Sequence, residues 1–351
     1  MLALLAGLLA LAAFVPITAD DPAAGAFSPP PAAAAASRGE DVDFYDRVIA
    51  RLRAGEPYYG FIVPEQRRAG YPVRPGLTVR LPTLAVIQAA LGPGGTRLAA
   101  GLLLAVLAAA WWRRLGTPPD QPRLAACIAL LAGSALALNP AYLSVHELWA
   151  GLLIALALAL YRAPGQDRPR RPAEWLPALA VLALALAIRE HVLPFVLLLA
   201  ALAWWRKSLA EAWAWTALAA LFALGLALHL QAVSLHVLPS DPASPSWLAF
   251  RGLPGILSPV VLSTGLHVLP HWLAGPLVVL AFAGWAGWNT PTGRLGTAVL
   301  AGYFLAFAVA GRPANFYWGL LLAPTLFIGL AFAPAAAKAL FRAAFPRYCP
   351  K

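Results

Sequence analysis

Ten runs of fourteen to twenty-two residues, rich in Ala and Leu and almost free of charge, most tightly limit what this chain can become. They lie at 2–18, 97–112, 123–138, 145–161, 175–190, 192–205, 212–231, 271–288, 295–310 and 316–337. Runs of this length approach the span of a bilayer core. Ala and Leu favour helix, whereas outer-membrane barrel strands need alternating β-branched and aromatic residues. With 61% hydrophobic and only 12% charged residues, a soluble domain would be left with large exposed apolar patches. The expected class is therefore an all-α membrane protein, a single transmembrane domain over 1–351 with about ten transmembrane helices.

The formal charge of +11 does not point to nucleic acid, because the basic residues stand at the ends of the apolar runs rather than on one soluble face. With alternate crossings, fourteen Lys and Arg residues between Arg113 and Lys351 fall on one side, and only Arg189, Arg251 and Arg312 in the short loops opposite. That asymmetry marks the first side as cytoplasmic and places both termini there. The 2–18 run is read as a retained helix, although small residues beyond it also suit a signal peptide. Cys127 sits within an apolar run and Cys349 in the tail, so no disulfide or shared metal is expected.

Residues 19–96 then form a first loop on the non-cytoplasmic side. It opens on a Pro/Ala stretch, SPPPAAAAAS, that reads as an extended linker. An amphipathic helix is expected over 42–54, with Tyr45, Val48, Ile49 and Leu52 on one face and Gly55 as its stop. Residues 81–92 are too short to span and end at Gly-Pro-Gly-Gly, so a short surface or re-entrant helix is expected there. The trio Arg189, Glu190, His191 with Pro194 divides 175–205 and reads as a tight turn.

On this topology all six histidines and most unusual polar groups gather on the outer face. Ionisable groups near membrane depth are costly and commonly functional, so an outward site is expected. His146 and Glu147 look like half a metal site, but adjacent helical residues point about 100° apart, and no metal is required. The stretch GRPANFYW at 311–318 reads as an interfacial aromatic belt for Phe316, Tyr317 and Trp318, leaving Arg312 and Asn315 as site candidates.

Within 39–92, Asp41-x-x-x-Tyr45, the helix after it, Ala-Gly-Glu-Pro-Tyr-Tyr at 54–59 and Val-Arg-Leu-Pro-Thr-Leu at 79–84 follow in order. This order resembles the first periplasmic loop of the GT-C glycosyltransferases, multi-pass enzymes that include protein mannosyltransferases and aminoarabinose transferases of lipid A. The resemblance implies juxtamembrane helices in the loop, Asp41 as catalytic acid with Asp43 and Asp46 as rivals, and Arg80 near a lipid phosphate. Here the family's acidic pair is Glu40-Asp41, in reversed order, and the chain is short. Sugar transfer from a polyprenyl phosphate needs a base for the acceptor proton, which a carboxylate can supply, and guanidiniums for the leaving phosphate. Arg80, Arg189 and Arg312 suit the second role, with Tyr45, Glu190 and Asn315 lining the substrate. Blander roles are open: Asp41 also suits a helix cap, and Arg189 and Glu190 also suit simple pairing at a turn.

The expected function is an integral glycosyltransferase of the bacterial inner membrane, carrying a sugar from a polyprenyl-phosphate donor to a lipid, glycan or protein acceptor on the periplasmic side. The competing class is a transporter or flippase of a lipid-linked saccharide, which favours internal repeats and polar groups at mid-membrane.

Overall fold

The computed structural model describes residues 1–17, 31–115, 122–163 and 170–345, with the side chains of α2 described from Val42 onward. The described chain is helical throughout, and its only β pairing is two isolated bridges, Arg74 with Ala243 and Leu248 with Ala310. The first helices are α1 (Leu2–Phe14), α2 (Pro31–Arg53), α3 (Tyr58–Arg68) and α4 (Thr83–Arg114). The middle of the chain forms α5 (Arg123–Gly133), α6 (His146–Leu160), α7 (Leu176–Ile188), α8 (Leu193–Trp205) and α9 (Leu209–Ser234). The remainder forms α10 (Gly252–Leu262), α11 (His271–Gly287), α12 (Pro291–Val309), a 3₁₀ segment Pro313–Leu321, α13 (Ala323–Ile328) and α14 (Ala333–Ala344).

Among the described residues, three helical stretches are long and apolar enough to cross a bilayer: Gly76–Arg114, Leu209–Ser234 and Pro291–Val309. At 1.5 Å per residue, the 26 residues of α9 reach about 39 Å. Apolar helices such as α5, with 11 residues, and α7, with 13, fall short of a 30 Å core by themselves. Helix lengths thus give fewer full spans than the ten runs suggest, because breaks fall inside or beside the runs. The 316–337 run is the clearest case: it is bent by 58° between Pro313–Leu321 and Ala323–Ala331. The outer surface is nonetheless apolar. On α9, Trp213, Leu221, Leu224 and Leu228 are exposed, as suits a helix facing lipid. The helices are those of a membrane-embedded protein.

The core centres on α6, where every residue from His146 to Ala159 is buried. An apolar sequence on all sides produces that placement. It packs against α7, α4 and the 313–321 segment. Close approach depends on two glycines. A Cβ on Gly151 would stand 2.0 Å from the Leu320 carbonyl oxygen, and one on Gly319 would stand 2.0 Å from that of Pro259. The 313–321 backbone therefore lies directly on α6 and on α10.

The first loop folds into a cap with its own core of Phe44, Val48, Tyr58, Phe61, Ile62 and Val63. The face expected over 42–54 is the packed one, with Phe44 added to it. The helix starts earlier than expected, at Pro31 rather than after a linker. A run of five alanines behind a proline at N1 propagates helix readily. The expected element at 81–92 is the first part of α4, which breaks at Gly92 (φ 67°, ψ 175°). Only glycine holds that backbone without strain. The turn between α7 and α8 falls at Glu190–Val192, as the charged trio predicts. The cap is tied to the 235–251 loop by Arg67 on Asp241, and by the Ser244 N–H donating to the Arg74 carbonyl at 2.6 Å.

Candidate functional site

The α6 helix begins after an extended Val145, and its first turn carries Glu147, whose carboxylate complements the helix's positive end. Glu147 is only 2% exposed. Arg189, 1% exposed, follows the last residue of α7 in extended backbone, which turns its guanidinium inward. Its Nε lies 2.7 Å from Glu147 Oε1, a charge contact whose N–H is not aimed at that oxygen. The other end of the guanidinium donates to Glu190. Two buried ions of opposite sign offset each other's desolvation cost, and neither is tolerable there alone.

Arg80 approaches the same carboxylate from the cap, at 3.7 Å. Its Nε donates to the Tyr45 hydroxyl at 3.2 Å and a terminal nitrogen donates to the Tyr317 hydroxyl at 3.3 Å. Asn315 Nδ2 donates to the same Tyr317 oxygen at 3.1 Å. The Arg80 carbonyl accepts from Tyr58 at 2.6 Å. Burial pushes the Tyr58 phenol up, which keeps it a donor. Arg80 is thus held by α2, α3, α6 and the 313–321 segment together.

Around these groups lies a cavity of about 650 Å³. Tyr45, Arg80, Arg189, Glu190, Arg312 and Asn315, each expected at a substrate, all line it. His191 lies 3.1 Å from Glu190 and its ring meets Trp318 at 4.5 Å between centroids. A terminal nitrogen of Arg312 reaches Ser244 Oγ at 3.5 Å, and its Nε is buried without a partner. Leu136, Leu193, Leu197, Leu262 and Phe316 supply apolar wall. Three guanidiniums against two carboxylates leave the cavity a net cation beside apolar surface.

The two expected catalytic acids stand differently. Asp43 is exposed and does not line the cavity, although its neighbours Val42 and Phe44 do. Asp41 lies within α2, but its side chain is outside the described residues. Asp46 lines a second cavity instead. Among the described residues no group of three His, Cys, Asp or Glu is arranged for a metal.

Sequence reasoning missed Glu147 as the centre of the cluster. It weighed Glu147 with His146 as a metal pair, whereas the relevant signal was an acid opening an otherwise wholly apolar run. It also assigned Tyr317 to an aromatic belt, although its hydroxyl joins Arg80 to Asn315. No protein-family model matches the chain, and no curated protein or solved structure is significantly similar to it.

Proposed function

We propose that this chain is a membrane glycosyltransferase that moves a sugar from a polyprenyl-phosphate carrier to an acceptor hydroxyl. The observation that carries the reading is the joining of Arg80, Arg189 and Arg312 to an apolar, aromatic wall in one cavity. A lipid phosphate asks for both: guanidiniums for its oxygens and apolar surface for its chain. In the reaction, the acceptor hydroxyl loses its proton to a carboxylate as its oxygen bonds to the anomeric carbon. The bond from that carbon to the phosphate oxygen breaks, and the phosphate leaves with the electron pair. Glu147 contacts two guanidiniums, and it serves to hold Arg80 and Arg189 in place. Asp41 on α2, one residue before the cavity-lining Val42, is the candidate base. The lysine and arginine asymmetry supports a cavity on the non-cytoplasmic face, which in a bacterial inner membrane is the periplasmic one.

The test is to incubate purified protein with labelled polyprenyl-phosphate sugars and an extract of envelope acceptors. Label should leave the lipid with wild type and stay on it with Arg80→Ala. The 58° break at 322 favours a second reading, since broken helices at a cavity also build carriers. Label that crosses a proteoliposome bilayer while still attached to its lipid would favour that carrier.

A further inference from the structure

In the second half of α9, over 221–234, only His229 and Val233 are buried. Both turn toward the first loop rather than toward lipid. An ionisable ring in a spanning helix is costly unless its nitrogens are bonded, and it commonly marks function. His229 is 3% exposed and has both nitrogens bonded. Nε2 stands 3.1 Å from the Val79 carbonyl oxygen, and Nδ1 stands 3.0 Å from the Tyr59 hydroxyl. A carbonyl can only accept, so the ring proton sits on Nε2 and Nδ1 is left to accept from the phenol. Donation therefore runs from Tyr59 through His229 to Val79.

We propose that His229 is a positioning residue for Arg80, aiming its guanidinium into the first cavity by way of the Val79 carbonyl. The inference rests on the lipid-phosphate reading of that cavity.

Val79 directly precedes Arg80, in extended backbone after the 3₁₀ turn Gly76–Thr78. Tyr58 donates to the Arg80 carbonyl and His229 to that of Val79, so two consecutive carbonyls are fixed by α3 and α9. The backbone is set in this way before the side chain reaches Tyr45 and Tyr317. At 3.3 Å from the Tyr317 hydroxyl the guanidinium is at the long end of a hydrogen bond, so a small shift of its backbone loses that contact.

Packing alone does not call for a histidine here. The turn before Val79 already seats on apolar side chains of α9: a Cβ on Gly76 would lie 3.1 Å from Leu230 Cδ2 and 3.5 Å from Val233 Cγ1. Such contacts hold the turn against the helix but do not set the rotation of the Val79 peptide, which a directional bond does. Tyr59 steadies the imidazole in turn, with 5.6 Å between ring centroids.

Binding of undecaprenyl phosphate to the purified protein in detergent, read by native mass spectrometry with Tm measured for each variant, tests the proposal. His229→Leu keeps an apolar seat but donates nothing, and should weaken binding by about tenfold. His229→Gln, whose amide can donate to the same carbonyl, should restore most of the affinity. The decisive comparison is His229→Leu made in wild type and in Arg80→Ala. Because His229 acts through Arg80, it should have no further effect once Arg80 is gone, whereas a general loosening of the cap would lower affinity in both backgrounds. Tyr59→Phe, which leaves α9 untouched, gives the same cycle if His229→Leu does not fold. Loss of binding in Arg80→Ala with none in His229→Leu, or two losses that simply multiply, overturns the proposal and leaves the cavity reading standing. Wild-type affinity in Arg80→Ala overturns the cavity reading and the proposal with it.

Discussion

Arg80 donates to the hydroxyl of Tyr317, 237 residues later in the chain, at 3.3 Å. That bond joins the cap to the bent segment in the membrane domain and closes one side of the cavity. Its neighbour Tyr45 accepts from the same guanidinium at 3.2 Å, so two phenols set the plane of the fork. Arg80→Lys keeps the charge and loses the fork, and should weaken use of a lipid-phosphate donor by about tenfold. Tyr45→Phe combined with Tyr317→Phe should act in the same direction. Donor titrations in the release assay check this, and a lysine variant equal to wild type would leave Arg80 a structural tie.

Removing the Glu147 carboxylate leaves the buried Arg189 with Glu190 as its remaining anion. Glu147→Ala should destabilise the protein by about 1–3 kcal/mol, the usual result of depriving a buried polar group of one partner. Replacing both members, with Glu147→Gln and Arg189→Met, should recover much of that loss while abolishing anion binding in the first cavity. Thermal unfolding of the single and double variants in one detergent gives the coupling between them.

Asp41 and Asp43 separate the proposed base from ordinary helix-dipole effects. Asn caps about as well as Asp but is no base, so fold and abundance should survive either change to Asn. Loss of a general base costs about a hundred- to ten-thousand-fold in rate. Sugar release assayed for Asp41→Asn, Asp43→Asn and Asp46→Asn should show such a loss in the first and not in the other two. If all three retain full rate, the carboxylate mechanism fails.

The two backbone-to-backbone contacts of the bent segment predict unequal glycine effects. Gly151→Ala and Gly319→Ala each drive a methyl into a carbonyl oxygen and should cost about 1–3 kcal/mol or more. Gly225 on α9 has nothing within 4 Å, so Gly225→Ala should stabilise by about 1 kcal/mol through helix propensity. The same unfolding measurements decide.

Asp241 connects the cap to pH. The Arg67 guanidinium, which donates to both carboxylate oxygens, holds the Asp241 carboxyl down at about 2 from an ordinary 3.8, helped by the Leu238 N–H. A lowered carboxyl pKa stabilises the folded state above the ordinary value and loses that contribution as pH falls through the folded one. Cap docking should therefore be constant above about pH 4 and loosen between about pH 4 and 2. Protease susceptibility of the 235–251 loop, compared with Asp241→Asn, reads this out: the variant should be susceptible already at pH 7.

What the sequence disclosed followed physical scale. Apolar helices, the break at Gly92 and the turn at Arg189–His191 were legible because composition, glycine and charge act locally. The six lining residues were legible singly, since an arginine near membrane depth is conspicuous, but their meeting in one cavity required the cap to fold over α6. α10 falls outside the ten apolar runs because its 11 residues are far short of a span, and packing against α12 and the 313–321 segment supports the helix there. The bend at 322 was missed because the run is apolar throughout, although Pro324 in the first turn of α13 is where the preceding helix cannot continue.

The burial of α6 on every side gives it an unusual mutational fingerprint. A lipid-facing or surface helix shows tolerance recurring every three to four residues as its outer face comes round. In a saturation scan, α6 should show an unbroken block of intolerance from His146 to Ala159 with no helical periodicity. Because Glu147 lies inside that block, abundance must be scored alongside activity at each position, or the ion pair will be indistinguishable from the packing around it.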